Sequence, residues 1–310
     1  MKVFLTGATG VVGRSLVPLL VESGHEVHAV CRRDEAAVEL RAAGAEPVAV
    51  DLFDPDAVMQ AVAGSETVLH LATNVPVLSK AGRSKGWDTH NRLRVDATRN
   101  LVAAARATGA TRLVKESVTF VYLDAGAEWI DETAALIPEL GLLASTIEGE
   151  DLALGFAADG GSAVVARFGL FYGGIRNRGT DDALKLAKVR SSSIAGRKDA
   201  YMASIHCEDV AAAVVAALDA PTGVYNVCDD TPMPRGEYLA AFAAAFGVKA
   251  PKPAPARLMT LAGGRGAEGI VASQRVSNAK FRSATGWEPK YPDAATGWLA
   301  EAASRREGGA

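Results

Sequence analysis

Along the first half of the chain, short β-rich apolar runs alternate with alanine- and leucine-rich stretches whose apolar positions recur at helical spacing. Residues 2–5 read as a strand. Residues 13–23 follow as an amphipathic helix with Leu16, Leu19 and Leu20 on one face, and Gly24 is placed to cap it. The alternation continues with strands over 26–31, 46–50, 67–71, 112–121 and 163–168, and helices over 36–43, 95–108 and 141–158. Asp54 before Pro55 marks the amino end of a further helix running through Val62, an acidic cap ahead of a proline at the first helical position. Charge at Lys115 and Glu116 interrupts the strand over 112–121. Strands at helix-sized separation predict parallel β-α-β crossovers, and so an α/β, Rossmann-like doubly wound parallel sheet.

Beyond residue 170 the alternation loosens. Residues 173–200 hold Arg176, Arg178, Lys185, Lys188, Arg190, Arg197 and Lys198 among glycines and a serine triplet, and read as a mobile basic segment rather than core. A helix over 208–219, a strand over 223–227 and a helix over 235–246 follow, and proline-rich 251–255 leads into a last stretch ending at Trp298. The expected organisation is a sheet domain over 1–170, with elements returning to it over 205–228, and a smaller C-terminal substrate lobe from 171–204 and 229–300. Residues 301–310 are polar and read as a frayed, flexible tail.

The 310 residues are 49% hydrophobic and 22% charged, enough apolar surface to offset the entropy of ordering, so disorder as a whole is excluded. A formal net charge of −3 gives no basic footprint for nucleic acid or an anionic membrane. The longest uninterrupted apolar runs, such as 210–218, reach only about half of the roughly 18 residues a membrane span needs. Cys31, Cys207 and Cys228 are far apart, odd in number and in no C-x-x-C pair. They write neither a disulfide framework nor a zinc site, and no metal is expected. Reduced thiols fit a cytoplasmic protein. Met1 opens almost directly into a glycine loop, so no signal peptide is expected. Small molecules are the partners this leaves.

The strongest motif is Thr6-Gly7-Ala8-Thr9-Gly10-Val11-Val12-Gly13, set between the first strand and the first helix. Gly7 permits a tight turn, Gly10 lets a pyrophosphate approach the backbone, and Gly13 permits close helix–strand packing. The helix amino end supplies N–H groups and partial positive charge for phosphates. Where an NAD site places an acid at the end of the second strand, this chain has Cys31 followed by Arg32 and Arg33. A guanidinium matches a ribose 2′-phosphate, so NADP(H) is favoured over NAD(H). Arg14 is a second phosphate candidate. Asp51 and Leu52 end the third strand, where an acid can accept from an adenine amino group, and Leu71 and Ala72 end the fourth. Residues 1–170 are thus read as an NADP-binding domain.

These residues resemble the extended short-chain dehydrogenase/reductase family, the NAD-dependent epimerase/dehydratase group. Val68-Leu69-His70-Leu71-Ala72 is similar to its fourth strand, which implies that Leu71 and Ala72 lie near the adenosine ribose of the cofactor, and Thr98-Arg99-Asn100-Leu101 is similar to its T-x-N-L helix. Arg167-Phe168-Gly169-Leu170-Phe171-Tyr172-Gly173 resembles its R-P-x-x-x-Y-G turn with Phe168 for the proline, and Ile205-His206-Cys207-Glu208-Asp209-Val210-Ala211 its I-H-V-D-D-V-A run. Tyr225-Asn226-Val227, Ser277-Asn278-Ala279-Lys280 and Gly286-Trp287-Glu288-Pro289 match later landmarks. The resemblance implies a tyrosine with a lysine four residues on, plus a serine or threonine, as the proton-handling set. None of the six tyrosines has lysine at +4; Tyr172 with Arg176 comes closest, in the wrong turn. The tyrosine position holds Leu142, the lysine position Thr146 and the hydroxyl position Val118, with Ser117 and Thr119 flanking it and facing the other way unless the strand end bulges.

Leucine donates no proton and threonine carries no charge to lower a phenol pKa. The candidates for catalysis are therefore Glu116, Ser117 and Thr119. Glu116 and Lys115 are charges near the end of a parallel strand, either paired or functional. Tyr122 is read as packing, and Asp124, Asp131 and Glu132 as solvated loop acids. His206 and Asp209 look catalytic on paper, but the resemblance implies that they brace the lobe. Arg167 is read as a buried ion-pair partner. Trp87, His90 and Asn91 fit either substrate contact or lobe packing. The leading expectation is an NADP(H)-dependent oxidoreductase with a non-standard catalytic centre, acting on a small organic molecule. The alternatives are a non-redox isomerase, cyclase or lyase on the same fold, or a non-catalytic NADPH-binding sensor or scaffold. The resemblance also implies a homodimer through the two helices beside the 112–121 strand.

Overall fold

The first strand, β1 (Lys2–Thr6), is buried on both faces. Val3 and Leu5 pack in one apolar cluster with Leu16 and Leu20, while Phe4 packs in a second with Val58, Val62 and Leu101. Two-sided burial is what a parallel sheet covered by helices on both faces demands. The computed structural model describes residues 1–75, 86–138, 141–158, 160–174, 177–257 and 267–307. In chain order the other strands are β2 (Glu26–Val30), β3 (Glu46–Val48), β4 (Thr67–His70), β5 (Arg112–Val118), β6 (Trp129–Ile130), β7 (Ser162–Phe168), β8 (Leu170–Tyr172), β9 (Tyr201–Met202), β10 (Ser204–His206), β11 (Gly223–Val227), β12 (Met233–Pro234) and β13 (Arg275–Val276).

Seven of these form one sheet in the order β11-β7-β5-β4-β1-β2-β3, every pairing parallel. The chain runs outward from β1 to β3, then returns and runs outward the other way from β4. The reversal falls between β1 and β4, the place where open α/β sheets leave a crevice for ligands. Helices α1 (Gly13–Glu22), α2 (Asp34–Ala42) and, later, α8 (Cys207–Ala216) cover one face. The other carries α3 (Pro55–Val62), α5 (Thr98–Thr108) and α6 (Ala144–Ala158). Between these lie α4 (Asp88–Arg92) and α7 (Arg178–Lys188). The later helices are α9 (Arg235–Phe246), α10 (Glu268–Val271), α11 (Ala279–Thr285) and α12 (Ala294–Glu307); α9 and α12 pack in an aromatic cluster of Tyr172, Tyr238, Phe242 and Trp298, while α11 sends Phe281 into the cluster on the sheet.

Several sequence expectations need correction. Lys115 and Glu116 do not interrupt β5, which pairs with β7 straight through both residues and ends at Val118 in a 3-10 turn, Thr119–Val121. The helix expected over 95–108 starts earlier, at Asp88, and passes through a π turn at Leu93–Ala97 before α5. Residues 178–188 are an ordered helix: Asn177 caps α7 by accepting from Gly179 N at 2.8 Å, and Thr180 and Ala187 are buried. The many cations hid an amphipathic face. Arg176 lies outside the described residues. The polar tail is likewise no tail as far as Glu307, because Glu301 and Ala302 are buried parts of α12. Residues 308–310 lie outside the described residues.

A buried carboxyl joins the end of β11 to β10. Asp229, just past β11, donates its backbone N–H to Ser204 O at 2.7 Å and accepts from Ser204 Oγ at 2.8 Å. Burial, with Asp209 and Asp293 nearby, pushes its carboxyl well above the usual carboxylate range. Such an acid keeps its proton in the folded state while the unfolded chain, with a value near 3.9, gives it up. Wild-type stability therefore declines as pH rises from about 4 towards the raised value. Asp229→Asn removes that decline. Thermal denaturation should show the variant gaining on wild type as pH rises above about 4, on the order of 1.4 kcal/mol per pH unit within the interval; a variant that loses ground to wild type as pH rises would contradict this.

Candidate functional site

Thr6 ends β1, and Gly7 turns the chain with φ of 84°. A Cβ on Gly7 would stand 2.7 Å from the Leu71 carbonyl carbon, and one on Gly13 would stand 2.2 Å from Ala8 O. Backbone meets backbone at both positions, and no side chain fits. Gly10 N donates to Gly7 O at 3.0 Å, closing the turn. Helix α1 then begins with no capping side chain and no acid in its first turn, so its amino end offers N–H groups and partial positive charge. This bare cradle, which a Cβ would fill, fits the pyrophosphate of a dinucleotide.

The loop is tied across the sheet by His70, which is fully buried. Its Nε2 lies 3.0 Å from Leu93 O and its Nδ1 2.7 Å from Thr6 Oγ1. A carbonyl only accepts, so Nε2 carries the proton, and burial with the Lys115 charge holds the ring neutral by lowering its pKa to about 3. Nδ1 must then accept from the Thr6 hydroxyl, whose oxygen accepts in turn from Ala72 N at 3.3 Å. The glycine loop, the β4 exit and the π turn are fixed by one directed run of hydrogen bonds.

A cleft of about 840 Å³ crosses the carboxyl ends of the strands. Of the residues expected to touch a cofactor, Gly7, Thr9, Gly10, Val11, Val12, Arg32, Asp51, Leu52, Leu71 and Ala72 line it, whereas Gly13 and Arg33 do not. Gly13 serves packing, and Arg33 is the extended residue before α2. Arg14 is ion-paired with Glu39 at 3.9 Å instead. Asp51 accepts from Phe53 N at 3.0 Å, and Asn100 donates to Leu52 O at 3.0 Å, fixing the β3 exit. Phe53 lines the cleft with the Arg92 guanidinium 3.8 Å from its ring centre, a contact that sequence spacing did not signal. Asp54 caps α3.

At the far end of the cleft the wall is apolar, with Leu93, Phe168 and Phe171, and Glu116 is its charged member. Arg94 Nη2 donates to Glu116 Oε1 at 3.1 Å, and Arg94 Nε donates to His90 Nε2 at 2.9 Å. Burial and the Arg94 charge lower His90 to about 4. Lys115 is 1% exposed, donates to Glu116 O at 2.6 Å and lies beside Gly149 of α6, where a Cβ would stand 3.6 Å from its Cε. Burial first, then the Arg94 charge, brings its ammonium down to about 8.

Of the three catalytic candidates, only Glu116 reaches the cleft. Ser117 faces the helix layer and donates to Glu150, which is held by Arg167 through Nε at 3.0 Å and Nη2 at 2.6 Å. Strand alternation turns it away, with no bulge to bring it round. Thr119 is buried in the 3-10 turn, and its hydroxyl has no partner among the described residues. Val118 is partly buried against a separate apolar cluster. Leu142 lies in the 3-10 turn Gly141–Leu143, and Thr146 is buried in α6. Tyr122 packs, donating to Asn226 Oδ1 at 2.7 Å and accepting from Arg167 Nη1 at 2.9 Å.

The remaining candidates are structural. Asp209 accepts from Lys290 N at 2.8 Å and Tyr291 N at 3.1 Å, and His206 accepts from Glu208 N at 3.3 Å. Trp87 packs edge-on against His90, and Asn91 accepts from Ser145 at 2.8 Å; none of the three lines the cleft. Asp131 caps Thr133, Glu132 accepts from Asn226 N, and Asp124 borders a separate hollow of about 300 Å³. Among the described residues no cluster of acids, histidines and cysteines could hold a metal, and no helix is long and apolar enough to cross a membrane.

The model of the NAD dependent epimerase/dehydratase family matches residues 3–228. A 3-diazoavenalumate denitrifying reductase of Streptomyces is 32% identical over 300 residues, spanning 94% of this chain and 97% of its own. A 2-alkyl-3-oxoalkanoate reductase of Stenotrophomonas maltophilia is 39% identical over 121 residues, 39% of this chain and 34% of its own. Among solved structures, MoeE5 in complex with UDP-glucose and NAD gives a TM-score of 0.79 at 25% identity, covering 100% of both chains. Human epimerase family protein SDR39U1 with NADPH gives 0.79 at 20% identity, over 98% of this chain and 99% of that one, a likeness of fold.

The Lys115 ammonium gives a pH signature. Below about 8 the folded and unfolded chains both hold the proton, and the fold bears the whole cost of burying the cation. Between about 8 and the unfolded value near 10.4 the folded chain loses it first, so wild type gains stability as pH rises. Lys115→Met lacks this gain. Urea denaturation at pH 7, 9 and 10 should show the variant losing ground to wild type above pH 8, by on the order of 1.4 kcal/mol per unit.

Proposed function

Since the chain belongs to the NAD dependent epimerase/dehydratase family, we propose that it is an NADP(H)-dependent reductase of a small organic molecule. One observation carries the reading: the glycine cradle, Arg32 and the apolar wall around Glu116 belong to a single continuous cleft. The cradle and the amino end of α1 would hold the pyrophosphate, Asp51 and Leu52 would face the adenine, and Arg32 would pair with a 2′-phosphate. When bound, the dinucleotide supplies a hydride.

The substrate proposed is one whose reduction leaves no oxyanion in need of a proton. No tyrosine in the chain has lysine at +4, Tyr122 is locked by Arg167 and Asn226, and the family resemblance implies Leu142 and Thr146 at the positions of the pair. A general acid typically contributes ~10²–10⁴-fold to a rate. An aryl diazo group in its cationic diazonium form does not need one: a hydride takes the place of dinitrogen on the ring carbon, and the C–H bond forms as the C–N bond breaks. The C–N electron pair leaves with neutral dinitrogen, and the diazonium charge cancels that of the hydride, so no anion is left to protonate. The relative spanning nearly the whole chain is named as a denitrifying reductase of a diazo compound, which supports this class. The apolar wall of Phe168, Phe171 and Leu93 suits an aromatic body.

Two measurements test the reading. NADPH should bind more tightly than NADH, and Arg32→Ala should weaken NADPH about tenfold to a hundredfold while leaving NADH unchanged, the worth of one or two charge-assisted hydrogen bonds; equal affinities in wild type would remove the NADP assignment. An aryl diazo acid should be reduced with loss of NADPH absorbance and stoichiometric release of dinitrogen. Product formed with no NADPH consumed would favour non-redox chemistry in the same cleft.

A further inference from the structure

We infer that Lys115 is a charge-compensating group for the cleft, one that gives its proton to solvent when a cationic ring occupies the far end and takes it back when the ring is neutral. The inference rests on the dinucleotide reading and deepens it. In that reading Arg32 and Asp51, at the β2 and β3 side of the sheet, take the adenosine half. The nicotinamide, cationic when oxidised and neutral when reduced, is left for the other side of the β1–β4 reversal, where Glu116 of β5 forms the wall with Leu93, Phe168 and Phe171. Lys115 needs no contact with that space. It is buried, and its Nζ lies 3.9 Å from Oε2 of Glu116, a wall residue. A charge set one side chain behind the wall acts through a low dielectric, and salt screens it little. Across about 8 Å at a protein-like dielectric, one unit charge shifts an ionisation by about tenfold or more.

Three features let Lys115 carry the adjustment. First, its cluster holds a surplus, because Arg94 and Lys115 bring two positive charges to the one carboxylate of Glu116. The other groups near it do not offset this: Glu150 of α6 is balanced by Arg167, and burial keeps the rings of His70 and His90 neutral. Second, an arginine keeps its proton inside a protein, whereas a buried lysine readily loses its own. Burial and the Arg94 charge bring the Lys115 ammonium down to about 8, close to neutrality. Third, the loss breaks nothing. The ammonium makes one hydrogen bond among the described residues, to Glu116 O at 2.6 Å, and a neutral amine still donates there. A cation arriving in the cleft adds a third positive charge, and release of the Lys115 proton to solvent restores the total. One charge enters as one leaves.

The experiment counts protons. The full chain is titrated with NADP⁺ and, separately, with NADPH by calorimetry in two buffers of different ionisation enthalpy, which gives the protons released on binding. Release common to both ligands, such as that of the 2′-phosphate, cancels in the difference. At pH 7.5 NADP⁺ should release about half a proton more than NADPH, and at pH 9.5, where Lys115 is already neutral, the excess should vanish. By reciprocity the affinity for NADP⁺ relative to NADPH should rise about tenfold from pH 6 to pH 9.5. Lys115→Met should abolish the excess release and hold the affinity ratio at every pH near the value that wild type reaches at pH 9.5. Should Lys115→Met fail to fold, the wild-type proton count at the two pH values decides alone. Equal release for the two dinucleotides in wild type, or an undiminished excess in the folded methionine variant, would overturn the inference while leaving the NADP reading in place. Failure of wild type to bind either one would overturn both.

Discussion

Main chain lies against main chain where the loop after β1 meets the exit of β4, and the cleft exists because nothing larger than a hydrogen atom separates them there. Gly7 sits against Leu71 and Ala72, and Gly13 against Ala8, at distances a Cβ could not tolerate. Closeness alone would leave the two segments free to slide. The neutral His70 ring stops this by accepting from Thr6 on one side and donating to Leu93 on the other. Its protonation is forced by its partners, so the run of hydrogen bonds has one direction and one geometry. What the loop presents to a phosphate and what the π turn presents at the far wall are therefore set by the same contact.

Strand β5 carries two buried ionic groups, and α6 borders both. In one, Ser117 donates to Glu150, which Arg167 holds, and Tyr122 joins Arg167 to Asn226 Oδ1. Such a set specifies geometry, since removing one member strands the others. In the other, Lys115, beside Gly149 of α6, and Arg94 bring two cations to Glu116. Polar atoms stay unmet among the described residues in both, Asn226 Nδ2 in the first and Arg94 Nη1 and Glu116 Oε2 in the second, and of all these residues Glu116 lines the cleft.

The parallel sheet and its cradle were legible because each depends on local signals: two-sided apolar runs, helix-sized spacers, and glycines at Gly7, Gly10 and Gly13. Asp54 with Pro55 fixed a helix start for the same reason. The misreadings share a physical cause. Lys115 and Glu116 looked like a break in β5, but the backbone ladder is indifferent to charge when a tertiary partner is at hand, and Arg94 comes from an element 22 residues away. The 178–188 helix was obscured by its solvent-facing cations, and the tail by Glu301, a carboxylate that is buried only because distant groups meet it. Those meetings join residues up to 127 positions apart, beyond any periodicity. Strand alternation decided where Ser117 points, whereas Thr119 falls past the end of β5, in a 3-10 turn that the apolar run to Val121 concealed.

Glu301 also bears on how the substrate end works. Its Oε2 accepts from Gly174 N at 2.9 Å, its Oε1 accepts from Arg305 at 2.6 Å, and Arg305 reaches Asp181 of α7 at 2.7 Å. Asp209 holds the chain ahead of α12 by two backbone N–H groups, and Asp229 holds β10 through Ser204. Asp209 thus ties the chain before α12 to α8, Asp229 ties the end of β11 to β10, and Glu301 ties α12 to the turn after β8 and, through Arg305, to α7. Strand β8, which carries Phe171 to the cleft wall, pairs with β10, so the contact of Asp229 with Ser204 is one strand pairing away from that wall.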